Sequence, residues 1–288
     1  MKILVLGKTG QVATALARNC PSDVTCIFLG REAADLLSPE ICNAAIMAAD
    51  VDAVINAAAF TAVDEAESEE QIATVINADA PGAMATACAQ KNIPFLHLST
   101  DYIFDGAGTH SIPPDQAAKP LSAYGRSKLA GEIAIRKSGA RHFILRTSWV
   151  FSDHGKNFFL TMQRLGKDRD TINVVADQIG GPTAAGDIAT ALFQAARAMV
   201  DGHDGGTYHF CGKPAVSWAG FARAIMETSG LNCAIHDIPS SACPTIAERP
   251  ANSRLDCTSL TEAFSIVQPD WRKSLSDIIA EQRSEAKI

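Results

Sequence analysis

The stretch Ile3-Leu4-Val5-Leu6-Gly7-Lys8-Thr9-Gly10-Gln11-Val12-Ala13 decides the fold. Four apolar residues form a short buried strand that runs straight into a glycine turn and then into a helical pattern. A turn in that position lets backbone N–H groups at a helix N-terminus meet a pyrophosphate. The spacing departs from the common G-x-G-x-x-G form, because two residues separate Gly7 from Gly10 and the third small position is Ala13. Alanine is still small enough for the helix to pack closely. The turn offers Gly7, Thr9, Gly10, Gln11 and Val12 to a dinucleotide, although an ordinary strand-to-helix turn would read similarly.

Outward from this junction, short apolar runs alternate with helix-period stretches. Strands are expected at Thr25–Leu29, Ala53–Ile55, Phe95–Leu98 and Phe143–Leu145. Ser38-Pro39 reads as an N-cap followed by a first-turn proline, Ser68 as another helix start, and Leu121–Lys137 as a helix ending near Gly139. Such alternation predicts an α/β chain with a Rossmann-type doubly wound parallel sheet. Past Arg146 the pattern is less regular. Lys156–Leu165, Asp187–Met199, Ser217–Glu227 and Arg272–Glu281 look helical, and Ile172–Val175 and Thr207–Phe210 look like strands. The division expected is a dinucleotide-binding domain from residues 1–147 with 172–204, and a smaller C-terminal α/β substrate-binding domain from residues 148–171 with 205–288. The Gly- and Pro-containing segment 106–120 is expected to be a loop.

After the second strand come Gly30-Arg31, where a carboxylate would select unphosphorylated ribose; an arginine there favours a 2′-phosphate, hence NADPH, with NADH still possible. Asp35 and Leu36 follow within reach of the adenosine side. Asn56-Ala57-Ala58-Ala59 closes the third strand with small side chains that would let a cofactor approach.

Tyr124 and Lys128, four residues apart on one helix face, form a candidate proton donor. A free phenol titrates near ~10, and a cation within reach would lower that value. Ser99-Thr100-Asp101 ends the Phe95–Leu98 run at the strand edge where ligands of open parallel sheets bind, so Thr100 can hold a carbonyl oxygen while Tyr124 protonates it. Alone, Tyr-x3-Lys is equally compatible with a solvated helix face.

Composition removes several other classes. The chain has 288 residues, 47% hydrophobic and 20% charged, with a net charge of −7 and no basic stripe, so nucleic acid is not an expected partner. The acidic run Asp64-Glu65-Ala66-Glu67-Ser68-Glu69-Glu70 reads as a solvated first turn of a helix, with no chemistry assigned. Eight cysteines without C-x-x-C spacing point to buried thiols in a reducing compartment, not to zinc or disulfides. No apolar run is long enough to span a bilayer and no leader is visible, so a cytoplasmic protein without membrane association is expected.

Taken together, the glycine turn, Ser-Thr and Tyr-x3-Lys resemble the extended short-chain dehydrogenases/reductases. Within them, Asn56–Asp64, Ser99–Gly106, Tyr124–Glu132, Arg146–Val150, Asp177–Thr183 and Arg249–Leu255 resemble, in order, the dTDP-4-dehydrorhamnose reductase family. The resemblance implies reduction of a dTDP-sugar ketone by NAD(P)H. It implies a catalytic set of Thr100, Tyr124 and Lys128, with Tyr124 and Lys128 also on the cofactor, and Ala58, Ala59, Phe60 and Thr61 beside it. Asp101, Trp149, Arg249, Asn252 and Ser253 would join Thr100 on the sugar nucleotide. Trp149 could equally be a core aromatic and Arg249 a surface ion pair.

Two departures concern cofactor contacts: Phe60 replaces a frequent histidine, and Leu98 a frequent aromatic. Ala15 and Gly186 stand where some members carry magnesium-binding glutamates, so no metal is expected, and the chain could be a monomer or a homodimer. Tyr102 after Asp101 argues against a dehydratase, which commonly has glutamate there. A sugar-nucleotide epimerase or related reductase, or a non-catalytic NADP-binding regulatory subunit resembling that of methionine adenosyltransferase, remains an alternative.

Overall fold

The computed structural model describes residues 1–285. The first half alternates as the apolar runs predict: β1 (Lys2–Leu6), α1 (Gln11–Arg18), β2 (Thr25–Leu29), α2 (Pro39–Ala48), β3 (Ala53–Asn56), α3 (Glu70–Thr74), α4 (Ala80–Lys91), β4 (Phe95–Thr100), α5 (Ala123–Lys137) and β5 (His142–Thr147). The second half is more broken. It contains β6 (Val150–Phe151), α6 (Phe158–Asp168), β7 (Thr171–Val175), β8 (Ile179–Gly180), β9 (Thr183–Ala184), α7 (Ala185–Val200) and β10 (Gly206–His209). Then follow β11 (Val216–Ser217), α8 (Trp218–Ser229), β12 (Ala234–Ile238), β13 (Asn252–Ser253), α9 (Thr258–Phe264) and α10 (Trp271–Glu285).

Six strands form one parallel sheet in the order β10-β5-β4-β3-β1-β2. Strand period two sends Ile3 and Val5 to one face, packed with Leu192 and Phe193 of α7, and Leu4 and Leu6 to the other, with Ile46 of α2 and Met84 of α4. Strand order reverses direction between β1 and β3, which places a crevice at their carboxyl ends. A third apolar cluster joins Phe151, Phe159, Ile172, Phe221 and Trp271 under the smaller sheets.

Some expectations move. Ser38 precedes Pro39 without a side-chain capping bond, and the helix expected from Ser68 starts at Glu70, because the Ser68 hydroxyl donates back to the Glu65 carbonyl. β12 was not anticipated: none of its five residues is buried, and among the described residues it pairs only with β7. The expected domain division also shifts in two places. Residues 206–209 hydrogen-bond to β5 in the large sheet instead of the smaller one, whereas residues 171–175 pair with β12 and bury Ile172 and Val174 in the third cluster. Among the described residues no helix is long and apolar enough to cross a membrane. Of the cysteines, Cys243 is exposed, contrary to the expectation of burial, and all eight are free.

Candidate active site

The crevice is built from close approaches of backbone. Gly7 adopts φ +112°, and a β-carbon there would sit 3.2 Å from both Ala57 C and Ala58 N, so glycine is what lets the first turn lie against the end of β3. Gly10 precedes α1 without any side-chain cap, so the first-turn N–H groups of that helix have no side-chain acceptor. These donors fit a pyrophosphate. Gln11 is placed beside them, but its Oε1 accepts from Ser152 and Asn157 at 3.0 and 2.9 Å, which ties the turn to the second half of the chain. Arg31 is 76% exposed and only loosely paired with Asp35 at 3.7 Å, free to meet a phosphate group. Leu36 packs on the core beneath α2, and Asp35 accepts from the Leu37 N–H.

Beyond β3, a π-helical turn at Val75–Asp79 carries Asn77 inward. Its amide receives the Phe60 N–H at 2.9 Å and donates to the Phe60 carbonyl at 3.0 Å, fixing the Ala58–Thr61 segment over the crevice. The same amide donates to Ser127 of α5 at 3.0 Å.

Thr100 ends β4 and caps a short turn, accepting from the Tyr102 N–H at 3.2 Å. It donates to Asp101 at 3.1 Å and lies close enough to the Tyr124 phenol to favour its ionised form. Tyr124 lies in the first turn of α5, capped by Ser122, whose Oγ accepts from Gly125 N–H at 3.2 Å. A β-carbon on Gly125 would come within 2.2 Å of the Tyr102 carbonyl, so glycine allows α5 to press against β4's end. Burial pushes the Tyr124 phenol above its usual range, with Thr100 opposing.

Lys128 does not do what the i,i+4 spacing suggested. No hydrogen bond joins it to Tyr124 among the described residues; Nζ donates to the Leu98 carbonyl at 2.6 Å and lies 3.0 Å from His97 Nε2. The reason is burial: at 2% exposure the amine must find partners on the sheet beneath it. Burial also brings Lys128 down to about 8, against the pull of Glu132.

Asp101 is buried and accepts from Ser253 at 2.5 Å, so β13 is locked to β4 at the site. Burial raises this carboxyl to about 6 despite those bonds. Asn252 is consumed by structure: it donates to the His110 carbonyl at 2.8 Å and accepts twice from Arg254. Arg249 pairs with Asp64 at 2.9 Å, while its buried Nε has no partner. Trp149 holds φ +51° and stacks on Trp218 at 3.6 Å, which accounts for one of its faces through packing.

The acidic run does more than face solvent. Glu67 accepts the Ala123 N–H at 2.8 Å, Glu70 takes Arg126 through two bonds at 2.7 and 2.8 Å, and Asp64 holds Arg249. These carboxylates dock the start of α5 and the 249 segment. His97 and Glu132 also escaped the sequence reading; a histidine inside the apolar run Phe95–Leu98 was the available signal. A cavity of about 400 Å³ lined by Cys211, Lys213, Arg254 and Asp256 contains none of Thr100, Tyr124 or Lys128, so the chemistry rather than the cavity marks the site. Among the described residues no group of three potential metal ligands occurs.

A doubly wound sheet with a glycine turn at its switch point and a buried Thr-Tyr-Lys set at the end of β4 defines a short-chain dehydrogenase/reductase, an NADPH-dependent oxidoreductase. The family model described as RmlD substrate binding domain matches residues 1–284. A dTDP-4-dehydrorhamnose reductase of Sinorhizobium fredii is 42% identical over 97% of each chain. The structure is similar to a dTDP-4-dehydrorhamnose reductase from Clostridium acetobutylicum (TM-score 0.92, 32% identity, 98% of this chain and 100% of that one). It is also similar to one from Bacillus anthracis in complex with NADP (TM-score 0.91, 28% identity, 97% and 99% covered). The chain belongs to the dTDP-4-dehydrorhamnose reductase family.

Proposed function

We propose that this protein reduces the C4 ketone of dTDP-4-dehydro-L-rhamnose to dTDP-L-rhamnose, in the cytoplasm, with NADPH as reductant. The observation that carries the reading is the placing of Thr100 and Tyr124, both buried, together at the carboxyl edge of β4 in a chain matching the family over residues 1–284. When bound, NADPH supplies the hydride. The uncapped N-terminus of α1, with Gly7, Thr9, Gly10 and Val12, would hold its pyrophosphate, Arg31 its 2′-phosphate, and the Ala58–Thr61 segment its neighbouring parts.

Thr100 and Tyr124 then share the ketone oxygen. As negative charge grows there, the phenol hands over its proton, and burial keeps that proton in place until an acceptor arrives. Lys128 lies one helical turn from Tyr124 and would grip ribose hydroxyls. Asp101 and Ser253, already joined, would orient the sugar. The unpartnered Nε of Arg249 supports a diphosphate contact, since a buried donor without an acceptor is costly. Intact Thr100, Tyr124 and Lys128 favour this reading over a purely regulatory one.

The test is direct. Purified protein mixed with NADPH and dTDP-4-dehydro-L-rhamnose should oxidise NADPH and yield dTDP-L-rhamnose. Intact NADPH binding without turnover would refute the assignment.

A further inference from the structure

Two of the free thiols meet past the carboxyl end of β10, although 46 residues separate them in the chain. Cys211 follows that strand and Cys257 stands directly before α9, and their Sγ atoms lie 3.8 Å apart. Both side chains are buried, yet both line the cavity of about 400 Å³. Glycine keeps room on one side: a β-carbon on Gly181 would stand 3.0 Å from Cys211 Sγ and 2.2 Å from the Gly212 carbonyl oxygen. The wall also carries Lys213, Arg254 and Asp256, a polar lining that admits water and a solute as small as a peroxide.

The two sulfurs are not equivalent. Cys211 Sγ receives the Gln268 amide at 3.4 Å and can receive the Cys257 S–H, so a thiolate there has two donors in place. These donors, the Cys257 thiol first, hold Cys211 below the usual thiol range against burial and the Asp101 charge, whereas the same contact and burial raise Cys257. A thiolate is the nucleophilic form, and a thiol beside it is what resolves an oxidised sulfur. The Leu255 carbonyl lies 3.8 Å from Cys211 Sγ and 3.6 Å from Cys257 Sγ, so it accepts an S–H that is not turned on its neighbour. Cys20 and Cys26 offer a contrast. They lie 3.5 Å apart, but Cys20 donates to the Val24 carbonyl at 3.4 Å and burial pushes Cys26 up to about 12, with no amide donor on either sulfur among the described residues.

We propose that Cys211 and Cys257 form a redox modification site, at which a hydroperoxide converts the pair to a disulfide and weakens sugar-nucleotide binding. Cys211 Sγ attacks one peroxide oxygen: an S–O bond forms, the O–O bond breaks, and the departing hydroxide takes the proton released from Cys211 and leaves as water. Cys257 Sγ then attacks the sulfenic sulfur; an S–S bond forms, the S–O bond breaks, and hydroxide leaves with the Cys257 proton as a second water. The two thiols lose two electrons and the peroxide gains them. A dithiol reductant reverses the change.

Bonding at about 2 Å draws the sulfurs in from 3.8 Å and removes both S–H donors from the Leu255 carbonyl. Leu255 lies between Cys257 and Ser253, whose hydroxyl holds Asp101, so the pull is passed to β13. Only this last consequence rests on the proposed function; formation of the bond does not.

The experiment maps the bond. Purified protein is treated with hydrogen peroxide, the remaining thiols are alkylated, and an unreduced digest is read by mass spectrometry. A cross-linked pair of peptides carrying Cys211 and Cys257 is expected, with both thiols returned by dithiothreitol. Cys211 and Cys257 left free, or Cys211 carried to a sulfinic acid without a cross-link, overturns the proposal, as does a Cys20–Cys26 bond that forms at lower peroxide. The kinetic arm uses the same sample: oxidation should raise KM for dTDP-4-dehydro-L-rhamnose about fivefold, reversibly with dithiothreitol. Cys257→Ser should keep its KM through the same treatment. A KM that rises there as in the wild type, or one that stays put in the cross-linked protein, overturns the coupling to the site. Should the variant fail to fold, the wild-type map and its reversal decide alone. Absence of turnover in both reduced and oxidised protein, with the cross-link formed, would count against the substrate assignment and not against the disulfide.

Discussion

Arg146 and Glu132 meet through two parallel charge-assisted hydrogen bonds, Nε to Oε1 at 2.8 Å and Nη2 to Oε2 at 2.7 Å, with side-chain exposures of only 6% and 0%. Ser99 and Arg136 complete the shell of the carboxylate, and Arg146 also reaches the Pro114 carbonyl at 2.7 Å. The pair clamps α5 to β4 and β5 below Thr100 and Tyr124. Although burial pushes the other way, these partners hold Glu132 below the usual carboxylate range.

Glu132→Ala should therefore lower stability by about 3–5 kcal/mol, because it leaves the Arg146 guanidinium buried without a counter-charge. Urea unfolding measures this. A loss under about 1 kcal/mol would mean that water or another acceptor replaces the carboxylate. The sign with pH follows from the lowered value: the contribution is present above the unfolded carboxylate range and is lost as pH falls through the folded value.

Tyr124→Phe keeps the edge-on ring contact with Tyr102 and removes the hydroxyl proposed as the proton donor. Expected is a fall in kcat of about 10²–10⁴ with NADPH affinity preserved. Turnover at the wild-type rate would take Tyr124 out of the mechanism.

Asp101 makes an opposite pH signature. Its folded value is raised from 3.8 to about 6 by burial. Between those values the folded protein holds a proton that the unfolded chain has released, so stability falls as pH rises through the window and the penalty is complete above it. Asp101→Asn removes the ionisation, and should be about 2–3 kcal/mol more stable than wild type at pH 7.5 but show no such advantage at pH 4. An offset of equal size at both pH values would show that packing, not ionisation, is responsible.

Asp64→Ala releases Arg249 and the Ala247 N–H, which Asp64 accepts at 3.0 Å. Both partners of the ion pair are partly exposed, so the loss is on the scale of ~1 kcal/mol. It should appear as a KM for the sugar nucleotide raised about fivefold, with kcat within about twofold. A change confined to kcat would contradict a role in substrate binding.

The first half of the fold was legible because each of its devices is local. Ile3–Leu6 followed by Gly7 is a strand and a turn in consecutive residues, and Ser122 caps α5 within three residues of the gap that Gly125 opens. The reach of Lys128 was not legible, since Tyr124 and Lys128 share a helix face in any helix, while the choice of His97 and Leu98 as partners depends on β4 passing beneath. The acidic run failed for a related reason. Asp64 and Arg249 are 185 residues apart, and a charge whose partner is that distant reads as a solvated charge. The weak alternation of Ala234–Ile238 hid β12, an edge strand with little to bury.

The placement of β10 has a consequence for synthesis. Residues 206–209 supply the outermost strand beside β5, and Leu260, Phe264 and Ile266 cover the same apolar face. A nascent chain that has emerged only as far as α7 therefore has the glycine turn, Tyr124 and Lys128 in place while β5 is still a bare edge over uncovered hydrophobic surface. In that interval the polypeptide is open to strand addition by a neighbour, and translational pausing before residue 206 should raise aggregation more than pausing after residue 266. Residues 260–266, made after most of the chain, finish the first body begun.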